Sequence, residues 1–90
     1  MLAGFRTMSI DQAKQATAIV ETIKPHLAGL DPALQGAILC ELLALWIAGH
    51  SPVIRDDMLA MHVQAVDGLI PICEAELFGD EGHPDTRTRQ

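Results

Sequence analysis

Residues 37 to 50, with the sequence AILCELLALWIAGH, are apolar almost all the way round a helix. At about 100° per residue, large side chains cover one half of this helix and a stripe of small ones lies on the other. A helix that is apolar on every side has to be buried, but a chain of 90 residues supplies only a small core. The segment therefore predicts that something beyond the chain itself covers part of this helix, and a second copy of the chain is the simplest candidate.

The large-residue half of this helix supplies the candidate contacts between two copies. Leu39, Leu42, Leu43 and Trp46 are the interface candidates, because large apolar and aromatic side chains anchor many protein interfaces. The alternative is a monomeric bundle in which this helix is central and Trp46 is an ordinary core residue. We favour a homo-oligomer, in the simplest case a dimer, because monomers rarely expose apolar patches beyond a few hundred Å².

Capping signals define the first two helices. The segment SIDQ at 9 to 12 fits a capping box and begins helix 1, which we expect to run from about Ile10 towards Ala28. The segment GLDP at 29 to 32 combines a glycine that ends one helix with an Asp-Pro pair that begins the next. Helix 2 therefore starts at about residue 32.

A third helix follows the segment GHSP at 49 to 52, in which Gly49 ends helix 2 and Ser51 and Pro52 open helix 3. It extends through about Phe78. Gly68 and Pro71 weaken its middle, so a bend or break near 68 to 71 is expected. Its apolar residues alternate steps of four and three along the chain: Leu59, Val63, Val66, Ile70, Cys73 and Leu77.

These signals together predict an all-α fold, a small antiparallel three-helix bundle assembled as a homodimer. The short connections between helices make successive helices antiparallel. The helical domain covers residues 9 to 79. We expect residues 1 to 8 to form a flexible N-terminus and residues 80 to 90 to form a disordered C-terminal tail, because neither segment has a periodic apolar pattern.

The charge of the chain restricts its partners. Twelve acidic side chains oppose six basic ones, which gives a formal net charge of −6 at pH 7. Phosphate backbones and anionic membrane surfaces are both repelled by such a chain, so we expect neither nucleic acid nor membrane as a partner. A basic protein partner fits this charge, in addition to the second copy of the chain.

Cysteine placement and the N-terminal sequence favour the cytoplasm. Cys40 and Cys73 lie inside apolar helical runs rather than in a closely spaced framework of cysteines. The first twelve residues, MLAGFRTMSIDQ, lack the basic region and apolar core of a secretion signal. The apolar run of helix 2 is too short to span a bilayer.

Glu41 and His62 are the candidate buried polar pair. If helices 2 and 3 are antiparallel about the turn near residues 51 and 52, these two side chains lie level with each other. A carboxylate beside an imidazole satisfies both groups, whereas burial of either group alone costs free energy. The pair is interpreted first as structural and only second as a pH-sensitive switch or half of an acid/base site.

The function predicted from these features is that of a small acidic helical module for dimerisation or protein interaction. No catalytic residue, metal site or cofactor is predicted, since the histidines lack the spacing of metal ligands on a helix. The alternative is a helical small-molecule binder or a minor enzyme that uses Glu41 and His62. An enzyme of the small helical mutase kind would need several basic residues for a dianion, and the helical core offers only Lys14, Lys24 and Arg55.

Overall fold

The computed structural model describes residues 8 to 85, and these residues are all-helical in class. Three helices are present in that range, namely α1 at Ile10–Leu27, α2 at Pro32–Ala48 and α3 at Arg55–Phe78. A 3₁₀ turn at Pro52–Ile54 precedes α3, and no strand occurs between residues 8 and 85. The predicted all-α class is confirmed. Residues 1 to 7 and 86 to 90, which hold most of the expected flexible N-terminus and part of the expected tail, lie outside the described residues.

The chain divides into two compact units between Pro52 and Val53. The first unit contains α1 and α2, and the second contains α3 and the segment that follows it, with the boundary inside the 3₁₀ turn. The antiparallel three-helix arrangement and the homodimer stay predictions.

The predicted capping box begins α1. The Ser9 hydroxyl accepts a hydrogen bond from the Gln12 amide at 3.1 Å, and the Ser9 amide donates to Oε1 of Gln12 at 3.0 Å. Both amides would otherwise be unpaired at the helix start. The helix continues through Pro25 and ends at Leu27.

The connection from α1 to α2 also follows the prediction. The Asp31 carboxylate accepts from the Ala33 amide at 3.0 Å, and Pro32 occupies the first helical position, where its missing amide hydrogen is not needed. Across the connection, Nε2 of Gln35 donates to the backbone carbonyl of Leu27 at 2.8 Å, so one side chain ties the end of α1 to α2. At its other end α2 stops at Gly49, as predicted.

The start of α3 differs from the prediction. Ser51 and Pro52 do not open the α-helix directly, because the 3₁₀ turn comes first and Ile54 holds the N-cap position without a side-chain hydrogen bond. Carboxylates at Asp56 and Asp57 lie in the first turn instead, where negative charge interacts favourably with the helix dipole.

Of the bend or break predicted near residues 68 to 71, the break does not occur. The helix runs without interruption from Arg55 to Phe78 with Pro71 inside it. Proline removes one amide donor, the partner of the carbonyl four residues earlier at Asp67, and the remaining hydrogen bonds of a 24-residue helix continue on either side. A bend at this position stays a prediction.

Very little of the described chain is buried. Met58 in α3, 1% exposed, is the one buried side chain between residues 8 and 85. By contrast, large apolar side chains remain exposed on all three helices. Exposed apolar surface is therefore the main chemical feature from which a function can be argued.

Candidate interaction surfaces

One side of α2 exposes large apolar residues. Five of them are between 41% and 64% exposed: Leu34, Leu39, Leu42, Leu45 and Trp46. At about 100° per residue they fall within an arc of about 140° on the helix. We call these five residues the α2 face. Three of the four predicted interface candidates belong to this face, and the fourth, Leu43, is half-buried outside it.

The stripe of small side chains on α2 is exposed as well. Ala37, Cys40 and Ala44 lie on the side of the helix away from Trp46, and each of them is exposed. Small side chains let a second backbone approach closely, but they offer little apolar area to bury. The α2 face is therefore the better-developed contact surface of this helix.

Trp46 is held at the C-terminal end of α2 by His50. The two rings meet edge to face, with their centroids 5.7 Å apart and an interplanar angle of 75°. Nδ1 of His50 lies 2.8 Å from the backbone carbonyl of Trp46, which positions the imidazole one turn beyond the indole. An indole with a restricted orientation loses less conformational entropy when it enters an interface.

The two members of the predicted polar pair lie in different units. Glu41 is exposed on α2, and His62 is half-buried on α3. An exposed carboxylate keeps most of its hydration, so its presence in an apolar helix carries only a small desolvation cost. The pairing of Glu41 with His62 stays a prediction.

A second apolar surface runs along α3. The residues that alternate steps of four and three lie on one side of this helix, and every one of them is exposed. We call them the α3 seam: Leu59, Val63, Val66, Ile70, Cys73 and Leu77. Alternate steps of four and three follow the seven-residue repeat of helices that remain in contact along their length.

A cleft lies at the C-terminal end of the seam. Its volume is about 510 Å³, within the roughly 300–1,000 Å³ typical of ligand pockets. Three seam residues form part of it, namely Ile70, Cys73 and Leu77. The other lining residues combine one aromatic ring with polar side chains: Phe78, Glu74, His83 and Asp85.

The cleft exists because the chain folds back after α3. Gly79 and Gly82 adopt positive φ angles of 80° and 75°, and the Gly82 amide donates to the Gly79 carbonyl at 3.1 Å. The chain then returns to the helix, where the His83 amide donates to Oε2 of Glu74 at 2.7 Å. Glycine is the residue that adopts such angles without strain, so the sequence GDEG allows the return.

Ring and backbone contacts complete the wall of the cleft. The imidazole of His83 meets the Phe78 ring edge to face, with centroids 4.9 Å apart. Its Nδ1 atom accepts a hydrogen bond from the Asp85 amide at 3.0 Å. These contacts hold residues 82 to 85 against the last two turns of α3. Specific interactions within the second unit therefore form this wall of the cleft.

This cleft was not predicted from the sequence. His83 and Asp85 were expected in a disordered tail, because residues 80 to 90 show no apolar periodicity. The pair of glycines at 79 and 82, followed by Pro84, was the available signal, since such residues mark turns. A turn signal alone does not indicate which helical residues the returning chain will contact.

Neither a metal site nor a membrane span appears in the described part of the chain. Between residues 8 and 85 no three His, Cys, Asp or Glu side chains cluster closely enough to hold a metal ion. No helix in the same range combines the length and the apolar character needed to cross a bilayer. Comparison of the chain with protein-family models, curated proteins and solved structures finds no match.

Proposed function

We propose that this protein is a self-associating helical module whose copies meet through the α2 face. The observation that carries the proposal is the exposure of five large apolar side chains on one side of a single helix. Burial of such side chains releases on the order of 25 cal/mol for each Å² of apolar surface removed from water. A second copy supplies an identical apolar surface, as a two-fold symmetric interface requires.

The amount of exposed apolar surface supports this proposal. Twenty large apolar side chains between residues 8 and 85 are each at least 40% exposed. Monomers seldom leave apolar patches of more than a few hundred Å² in water, and a stable interface covers about 800 Å² on each partner. Five of these side chains form the α2 face and supply the apolar centre of the proposed interface.

Trp46 is the expected anchor of the interface, and Glu41 is expected at its edge. Tryptophan is enriched among the residues that dominate binding energy, and His50 already restricts the orientation of this one. Glu41 lies between the α2 face and the small-residue stripe, where an exposed charge belongs to the polar rim of an interface. Repulsion between two chains of charge −6 each is then offset by an apolar centre.

The first test measures mass in solution. Light scattering coupled to gel filtration at micromolar concentration should give twice the 9.7 kDa of the single chain. Leu42→Glu and Trp46→Glu should each reduce the mass to that of one chain, because a buried unpaired carboxylate costs several kcal/mol. Circular dichroism should show that both variants remain helical.

Ala44→Glu is the matched control for these substitutions. It places the same charge on the same helix, but among the exposed small residues rather than on the α2 face. We expect the mass of this variant to stay at two chains. A wild-type monomer would overturn self-association, and dissociation by Ala44→Glu alone would move the interface to the small-residue stripe.

A further inference from the structure

We propose that the α3 seam binds a basic amphipathic helix of another protein. The residues of this surface belong to the second unit and none of them is part of the α2 face, so the proposal does not depend on self-association through α2. Three features of α3 support a basic helix as the partner: the period of the apolar residues, the charges beside them and the cleft at one end of the seam.

The seam has the length and period of a helix-binding surface. From Leu59 to Leu77 it extends about 27 Å at about 1.5 Å per residue. The alternating steps of four and three keep it on one side of α3 throughout, as in helices that pack along their axes. Gly68 and Pro71, the two residues that weaken the helix, lie outside the seam. The contact side of α3 therefore contains neither glycine nor proline.

The charges beside the seam indicate the partner's charge. Asp67 directly follows Val66, and Glu76 directly precedes Leu77, so both exposed carboxylates flank the apolar residues. Glu74 likewise directly follows Cys73. A second copy packed on this seam would bring carboxylates against carboxylates, which is unfavourable, whereas lysines or arginines at the flanking positions of a partner helix would pair with them.

The rest of the second unit has the same sign. Between residues 53 and 85 the chain holds eight carboxylate side chains and only one lysine or arginine, Arg55. An acidic surface attracts a basic partner over a distance of about 8 Å at physiological ionic strength. Charge complementarity therefore favours a basic helix over a second copy as the occupant of this surface.

The cleft provides a place for an apolar anchor on the partner helix. Three of its lining residues belong to the seam, and Phe78 adds an aromatic ring to the lining. Carboxylates of Glu74 and Asp85 are also part of its lining. A large apolar side chain followed or preceded by a lysine or arginine matches this combination, since the apolar part enters the cleft and the cation meets a carboxylate.

Two synthetic peptides test the proposal. Both have about three heptads with leucine and isoleucine at the contact positions, and they differ only in having lysine or glutamate at the flanking positions. Fluorescence anisotropy with the full chain should show micromolar binding of the lysine peptide and at least about tenfold weaker binding of the glutamate peptide. Added salt should weaken binding of the lysine peptide.

Two isoleucines provide a matched pair of variants. Ile70 lies in the seam and Ile72 lies on the other side of the same helix, and they are 54% and 56% exposed. Ile70→Asp should weaken binding of the lysine peptide about tenfold or more, and Ile72→Asp should change it less than about twofold. Both variants introduce the same charge at nearly equal exposure. A difference between their affinities for the lysine peptide therefore shows which side of α3 contacts the peptide.

Charge reversal completes the test. Asp67→Lys combined with Glu76→Lys should shift the preference from the lysine peptide to the glutamate peptide. Failure of the lysine peptide to bind, equal binding of both peptides, or equal effects of the two isoleucine variants would each overturn the proposal. A loss of self-association in Ile70→Asp would overturn it too, because the seam would then be occupied by a second copy.

Discussion

Gly82 is the residue on which the fold-back after α3 most directly depends. Its φ angle is 75°, and a Cβ atom added there would lie 2.7 Å from Oε2 of Glu74. That oxygen is also the acceptor for the His83 amide. Any other residue at position 82 would therefore have a strained backbone. Its Cβ atom would also displace the Glu74 carboxylate, which accepts the hydrogen bond from the His83 amide.

We expect Gly82→Ala to open the fold-back without unfolding α3. Backbone strain of about 1–2 kcal/mol at a positive φ angle should increase the exchange rate of the His83 amide hydrogen by roughly tenfold. Hydrogen exchange followed by NMR measures this rate directly. An unchanged rate would show that the contact between His83 and Glu74 does not require glycine at position 82.

Gly68→Ala is the control for that experiment. Gly68 lies inside α3, and a Cβ atom added there would meet nothing within 4 Å. Alanine in a helix interior is more favourable than glycine by about 0.5–1 kcal/mol, so this variant should stabilise α3 and leave the His83 exchange rate unchanged.

At the scale of the helices, two prolines differ in their position along the helix. Pro71 lies inside α3, where it removes a hydrogen bond, and Pro32 lies at the start of α2, where no bond is lost. Pro71→Ala should raise the free energy of unfolding by up to about 3 kcal/mol, because it restores the bond to the Asp67 carbonyl. Urea unfolding followed by circular dichroism measures the change.

Pro32→Ala should alter the free energy of unfolding by less than about 0.5 kcal/mol, because proline is well suited to the first helical position. If Pro71→Ala changed the free energy of unfolding as little as Pro32→Ala, the Asp67 carbonyl would already have another hydrogen-bond partner. If it destabilised the chain, the proline would be required for a bend in α3.

The sequence predicted most helix ends because those ends depend on neighbouring residues. Ser9 with Gln12 and Asp31 with Pro32 define helix starts by hydrogen bonds within three residues, and Gly49 marks a helix end. The start of α3 was predicted less well, since a 3₁₀ turn and an α-helix both accept proline at position 52. The cleft was missed because it depends on a contact between residues 74 and 83 that no periodic pattern shows.

At the scale of the whole molecule, the sequence predicted helices but did not specify how they associate. A helix with one apolar stripe indicates which side faces inward, whereas α2 is apolar on more than one side and so leaves that choice open. The same property made Leu43 and Leu42 equal interface candidates, although the structure exposes Leu42 and half-buries Leu43. Local patterns in one sequence do not distinguish the core side of such a helix from its contact side.

Met58 is the one buried side chain among residues 8 to 85, and so small an interior has a consequence for thermal unfolding. If the chain self-associates as proposed, association should supply much of its resistance to heat, and its melting temperature should then depend on its own concentration. For a dimer of this size, tenfold more protein should raise the melting temperature by about 4 °C, given an unfolding entropy of about 2.1 cal/mol/K per residue. Scanning calorimetry over a hundredfold concentration range checks this, and a constant melting temperature would contradict it. The folded fraction in a warm cell would then depend on how many copies are present.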